Sequence, residues 1–199
     1  MKNISVLMTG IGGQGIILAS DILADTALRM GWDVKKTDSI GMAQRGGSVI
    51  SHVRMGEAVN SPLIPVGKAD VLFGMEKLEA ARSCPFLVSG GKALISNYGS
   101  PPLSVTSGGG KYPADEVILD IIRKRAGEIF FIDGITKVAD LGNIRTLNVF
   151  LLGALSVLLP LSLEAWKESL EARLPQRILD INLAAFSLGQ KEIKNAGVD

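Results

Sequence analysis

The sequence is poor in the side chains that do most redox and metal chemistry. Its 199 residues include one cysteine, Cys84, and one histidine, His52. A single thiol cannot close an intramolecular disulfide, which fits a reducing compartment. It cannot supply the four thiolates of an iron–sulfur cluster, and a zinc site of the usual Cys and His ligands is excluded as well. We therefore expect no metal site on this chain and a cytoplasmic location. Aromatic residues are also few, at 5%. Charge of either sign is not in excess, with 21 basic against 20 acidic residues. A nucleic-acid surface would show as a basic excess, and none is present. Long apolar runs are missing too. The longest, Val149 to Leu161, is broken by Gly153, Ser156 and Pro160, and it falls short of the roughly 20 residues of a membrane span.

What is present points to a well-filled core. Hydrophobic residues make up 47% and the mean hydropathy is +0.30, high for a monomer. We read the excess as a buried core plus a subunit interface. The length suits one domain over residues 1–199. Ile4 to Met8 is an unbroken apolar run, as in a buried parallel strand. Ile16, Ala19, Ile22, Leu23 and Leu28 then recur at helical spacing, and Gly31 stops that helix. Trp32–Thr37, Ser48–Arg54, Ala69–Phe73 and Ile129–Ile132 read as further strands. Phe86–Ser89 and Lys92–Ser96 read as two more, split by Gly90-Gly91. Glu76–Ser83 and Asp115–Ala126 read as helices, and Asn60–Gly67 as a loop. Ser100–Pro113, with its glycines and prolines, reads as a mobile surface excursion. The last third is helical, with segments Thr146–Leu159, Ser162–Leu174 and Gln176–Leu188 punctuated by Pro160 and Pro175. The fold class is therefore α/β: a Rossmann-like, mostly parallel sheet flanked by helices, with a helical C-terminal third.

Two glycine-rich segments carry the chemistry. The first is Gly10-Ile11-Gly12-Gly13-Gln14-Gly15, between the first strand and the first helix. Its spacing matches a dinucleotide fingerprint, in which glycines let a pyrophosphate approach the first amides of the helix. Asp38, at the end of the second strand, stands about where a ribose-binding acid would. The same glycines could simply shape a tight turn. Gln14 favours a specialised loop, since packing alone does not require an amide there. The second segment is Gly41-Met42-Ala43-Gln44-Arg45-Gly46-Gly47-Ser48. Its arginine could fork onto a phosphate or carboxylate while Gly46 and Gly47 let the backbone approach the same ligand; a structural loop with a solvated arginine is the alternative. His52 has no evident acidic partner, and Cys84, before Pro85, reads as a small buried hydrophobe. Asn143 to Asn148 can cap the helix that follows. Glu164, Glu168 and Glu171 read as a solvated helix face.

Taken together, Gly10–Gly15, Gly41–Val49 with Ser51-His52-Val53-Arg54, and Asn148-Val149-Phe150-Leu151-Leu152-Gly153-Ala154-Leu155 resemble the gamma-type subunit or domain of 2-oxoacid:ferredoxin oxidoreductases. Within that family the pattern is most like the beta subunit of the indolepyruvate type. The resemblance spans nearly the whole chain. It implies a small subunit of a complex that oxidatively decarboxylates aryl-2-oxoacids to acyl-CoA and reduces ferredoxin. Thiamine diphosphate, iron–sulfur clusters and coenzyme A would serve the complex. The thiamine and the clusters would sit on a larger alpha subunit, so this chain would hold no cofactor alone. It implies a hetero-oligomer, with a homodimer as the form open to the isolated chain. The residues agree, since no Gly-Asp-Gly with a downstream Asn pair occurs. The expected binding residues are Gly10, Gly12, Gly13, Gln14, Gly15, Gln44, Arg45, Gly46 and Gly47, the two loops lying at the carboxyl ends of adjacent strands; no catalytic residue is assigned. Two other readings stay open: a stand-alone NAD- or FAD-binding protein, and a non-catalytic scaffold for the thiamine-bearing subunit.

Overall fold

The computed structural model describes residues 3–41 and 46–195. Six strands form one sheet: β1 (Ile4–Ile11), β2 (Asp33–Ile40), β3 (Ser48–Gly56), β4 (Ala69–Gly74), β5 (Leu87–Ser96) and β6 (Ala126–Ile132), in spatial order β2-β3-β1-β4-β5-β6. β1, β4, β5 and β6 run parallel to one another, and β3 alone runs against its neighbours, β1 and β2. The mostly parallel α/β sheet is thus observed. One placement differs from expectation. β1 and β2 are not neighbours, because the chain folds back after β2 and lays β3 between them.

The alternation of side chains sorts the core onto two faces. Val6, Met8, Val53, Val71, Phe73 and Leu94 face α1 (Ile16–Arg29) and the C-terminal helices. Leu7, Leu72, Ala93 and Ile95 face α2 (Lys77–Ser83) and, beyond the one-turn α3 (Leu103–Thr106), α4 (Asp115–Arg123). The edge strand β2 carries Lys35, Lys36 and Asp38 and stays polar, which blunts sheet-to-sheet aggregation. β5 is one strand rather than the expected two. Gly90-Gly91 lies inside it, and its pairing with β6 shifts register between Gly91 and Lys92. On the β4 side the pairing jumps from Leu87 to Lys92, and it is the β6 side, through Gly90 N–H to the Arg125 carbonyl at 2.8 Å and the Gly91↔Ala126 pair, that carries the strand through a glycine pair that local propensity would have broken.

The helical third holds four helices: α5 (Gly134–Ala139), α6 (Leu147–Leu158), α7 (Leu163–Arg173) and α8 (Gln176–Asn195). α5, capped by the Asp133 carboxylate, was not expected from the sequence. α6 is buried almost all round. It crosses α8 at backbone contact: a Cβ on Gly153 would lie 2.0 Å from the Phe186 carbonyl oxygen, and one on Gly189 would lie 1.9 Å from that of Phe150. No helix among the described residues is long and apolar enough to cross a membrane.

Candidate functional site

The glycine turn follows β1. Gly13 and Gly15 have φ of 98° and 83°, a region other residues rarely adopt. Gly15 is the N-cap of α1, with no side-chain cap and no acid in the first turn. Ala19 N–H donates to the Gly15 carbonyl at 2.9 Å, which closes the first helical turn. The amides of residues 16–18 therefore have no acceptor within the helix, and the helix dipole adds positive potential at the same place. Gln14 holds this geometry. Its Oε1 accepts from Ile11 N–H at 2.8 Å, and its Nε2 donates to the Met75 carbonyl at 3.0 Å, which ties the end of β1 to the end of β4. A Cβ on Gly10 would sit 2.6 Å from that Oε1, so glycine there makes room for the amide.

The second loop meets the first, but not as expected. It is the hairpin connection between β2 and β3, so the two loops do not follow adjacent parallel strands. β3 pairs with β1 up to Ile11↔Ser48, and this brings the loops together. Gly12 N–H donates to the Gly47 carbonyl at 2.8 Å, and Gly46 takes a left-handed φ of 76°. Gln44 and Arg45 lie outside the described residues.

Asp38 does not fill the ribose-binding position. With β3 interposed it stands two strands from β1, about 10 Å away at the usual strand spacing. Its carboxylate accepts from Ser51 Oγ at 2.6 Å and pairs with Lys36 Nζ at 2.7 Å. The dinucleotide reading thereby loses its acid. His52 is buried under residues 57–68, where its Nδ1 accepts from Ile64 N–H at 3.2 Å and its ring packs edge-on to Phe86. Burial holds its pKa below the ordinary value. Cys84 is buried, and burial pushes its thiol up, away from the reactive thiolate.

A cleft of about 600 Å³ opens beside the turn, at the carboxyl ends of β1, β4 and β5. Ligands of open α/β sheets bind at that end. Its lining combines polar groups, from Gly13, Gly15, Arg145 and Asn148, with apolar ones, from Met75, Tyr98, Ile135 and Leu147. Asn148 is 6% exposed. Its Oδ1 accepts from Val149 N–H at 2.9 Å. Its Nδ2 faces the turn, 2.6 Å from where a Gly15 Cβ would stand. Arg145 is exposed at the mouth of the cleft. On the other side of the turn, a cleft of about 340 Å³ is lined by Ile11, Ile16, Ile17, Ile40 and Val49. Ile17 and Ile40 there remain 37% and 60% exposed. A third cavity, about 660 Å³, sits at the opposite end of the sheet beside Ile4, Trp32 and Leu159. It lacks the turn and the free helix amides.

The sequence reading missed most of what faces the turn. Arg145, Tyr98 and Met75 carry no local motif, and Asn148 was read only as a cap. Its one signal was an amide within an otherwise apolar helix. Among the described residues no group of three or more His, Cys, Asp or Glu side chains could hold a metal ion.

Residues 5–192 match the family model described as pyruvate ferredoxin/flavodoxin oxidoreductase. The chain is 40% identical over 197 residues to the indolepyruvate oxidoreductase subunit IorB of Thermococcus kodakarensis, covering 98% of each chain. It is 39% identical, with the same coverage, to the IorB subunit of Pyrococcus horikoshii. Among solved structures it resembles the gamma subunit of a keto/oxoacid ferredoxin oxidoreductase from Geobacter sulfurreducens, with a TM-score of 0.72, 23% identity, and 96% and 99% of the two chains covered. It also matches 32% of a 2-oxoglutarate:ferredoxin oxidoreductase chain from Magnetococcus marinus, with all of this chain covered, a TM-score of 0.78 and 22% identity.

Proposed function

The chain belongs to the pyruvate ferredoxin/flavodoxin oxidoreductase family, and on that premise we propose that it is the small subunit of an oxidoreductase acting on aryl-2-oxoacids such as indolepyruvate. The complete reaction takes the oxoacid and coenzyme A to acyl-CoA, carbon dioxide and a proton, and passes two electrons to ferredoxin. Thiamine diphosphate and iron–sulfur clusters supply the carbanion and electron chemistry. The residues of this chain do not fit either group. One cysteine cannot ligate a cluster, and the described residues offer no metal-ligating group. Those cofactors belong to a larger partner subunit, and this chain supplies one wall of the shared site.

The observation that carries this reading is the convergence of the Gly13–Gly15 turn, Asn148 Nδ2 and Arg145 on one cleft, next to the N-terminus of α1. Three kinds of donor at one spot suit the phosphate oxygens of coenzyme A. Gly12, Gly13 and Gly15 let those oxygens reach the amides, with Gly10 and Gln14 holding the turn in shape. Gly46 and Gly47, bonded to the turn, extend the same surface, and Gln44 and Arg45 are assigned to the same binding role or to holding the partner. The exposed Ile17 and Ile40 give that partner an apolar contact beside the phosphates.

The test uses the reconstituted complex. Arg145→Ala and Asn148→Leu are expected to raise KM for coenzyme A by about tenfold, the order lost with one charge-assisted hydrogen bond, while kcat and assembly persist. Arg45→Ala is expected to raise the same KM or weaken assembly. Unchanged kinetics in assembled Arg145→Ala and Asn148→Leu complexes would leave this chain a scaffold rather than part of the site.

A further inference from the structure

The residues after β4 join three segments. Glu76 is 1% exposed, an unusual place for a carboxylate. Its Oε2 accepts from Glu79 N–H at 2.7 Å and caps α2. Its Oε1 accepts from Ser100 N–H at 3.1 Å and from the Tyr112 hydroxyl. Lys77, the next residue, donates its backbone N–H to the Tyr98 carbonyl at 2.9 Å. Its Nζ reaches Asn97 Oδ1 at 3.2 Å and Asp115 Oδ1 at 2.5 Å, and lies 5.9 Å from the centre of the Tyr112 ring. Two consecutive residues thus grip both the entry and the exit of segment 97–115.

Between those grips the chain makes a surface loop whose ends are held together, the geometry of an Ω-loop. Leu103 on it is 81% exposed. Glycine at position 99 allows the close approach at its base, since a Cβ there would lie 2.8 Å from Lys77 Cε and 3.0 Å from the Tyr112 hydroxyl. Tyr98, in the gripped entry, lines the cleft. Burial and the Glu76 carboxylate push the Tyr112 phenol above its ordinary value, so it remains a donor.

We propose that Glu76 is a positioning residue: it pins both ends of the 97–115 strap and so holds Tyr98 against the cleft, with the Tyr112 hydroxyl as the bond that keeps the strap closed. Its effect on catalysis rests on the coenzyme A reading above; the strap itself does not.

The two parts are separable in the assembled complex. Tyr112→Phe removes only the hydroxyl. Trypsin cleavage after the exposed Lys111 should then rise about tenfold, because cleavage follows the fraction of time the strap is open and a hydrogen bond to a carboxylate is worth at least that factor. KM for coenzyme A should rise while kcat holds. Glu76→Gln keeps one acceptor and should give a smaller rise in both. Unchanged cleavage in Tyr112→Phe overturns the strap. Faster cleavage with unchanged KM, where Arg145→Ala raises KM, overturns the positioning of Tyr98. If neither Arg145→Ala nor Tyr112→Phe moves KM, the coenzyme A reading has failed, and the strap stands or falls on the cleavage rate alone.

Discussion

Replacing Gly153 by alanine sets two effects of opposite sign against each other. Gly153 lies within α6, where glycine costs about 1 kcal/mol relative to alanine. On helix propensity alone the substitution should stabilise the protein. The crossing with α8 argues otherwise. The new Cβ would stand 2.0 Å from the Phe186 carbonyl oxygen, 2.7 Å from its carbonyl carbon and 2.9 Å from its Cα. All three are backbone atoms, so no side chain can swing aside. An ordinary carbon–oxygen contact is about 3.3 Å, so the helices must separate by roughly 1 Å. A gap of that size forfeits a quarter to a half of each dispersion contact across it. The interface holds fully buried Phe150 and Phe186, with Trp166 of α7 packed on the Phe186 ring, so those contacts are many. Overpacking of this kind costs 1–3 kcal/mol or more, and the rigid contact places this site at the upper end. We expect a net loss of about 2 kcal/mol. In a chain of this length that lowers the unfolding midpoint by about 4–8 °C. Gly110→Ala, with nothing within 4 Å of the added methyl, serves as the control and should leave the midpoint unchanged. Thermal unfolding of both variants checks the reasoning. A Gly153→Ala protein as stable as the parent, or more so, would show that α6 and α8 do not cross at backbone contact.

Other outcomes follow from single side chains. Gln14→Leu removes the acceptor of Ile11 N–H and the donor to the Met75 carbonyl; it should cost about 1–3 kcal/mol, the range for leaving buried partners unpaired, and should raise KM for coenzyme A, with urea unfolding and steady-state kinetics as the readouts. His52 is held neutral by burial, with its pKa lowered in the folded state, so below an unfolded-state value of about 6.5 the unfolded chain binds more protons than the folded one. Its contribution is therefore complete above that pH and is lost as pH falls towards the lower folded value. Stability measured from pH 7 to pH 6 should decline in the parent and decline less in His52→Asn, which keeps an acceptor for Ile64 N–H; equal slopes would refute this assignment. The single imidazole resonance reports the folded-state pKa directly.

Local pattern alone determined a good part of this protein. Apolar runs located β1, β3, β4 and β6, helical spacing located α1, α6, α7 and α8, and one cysteine ruled out a cluster on this chain. The glycine turn was legible for the same reason: a positive φ at Gly13 and Gly15 is a property of the residue itself. What failed involved partners distant along the chain. Gly90-Gly91 was read as a break because propensity does not see the strands on either side. The adjacency of β1 and β2 was wrong because no local signal says that β3 turns back between them. Asp38 looked like a ribose ligand until its place in the sheet was known. Asn148 and Arg145 stand at least 130 residues from the turn they face, and Glu76 holds Tyr112 across 36 positions. Only packing brings such groups together, so the tertiary structure alone decided what surrounds the glycine turn.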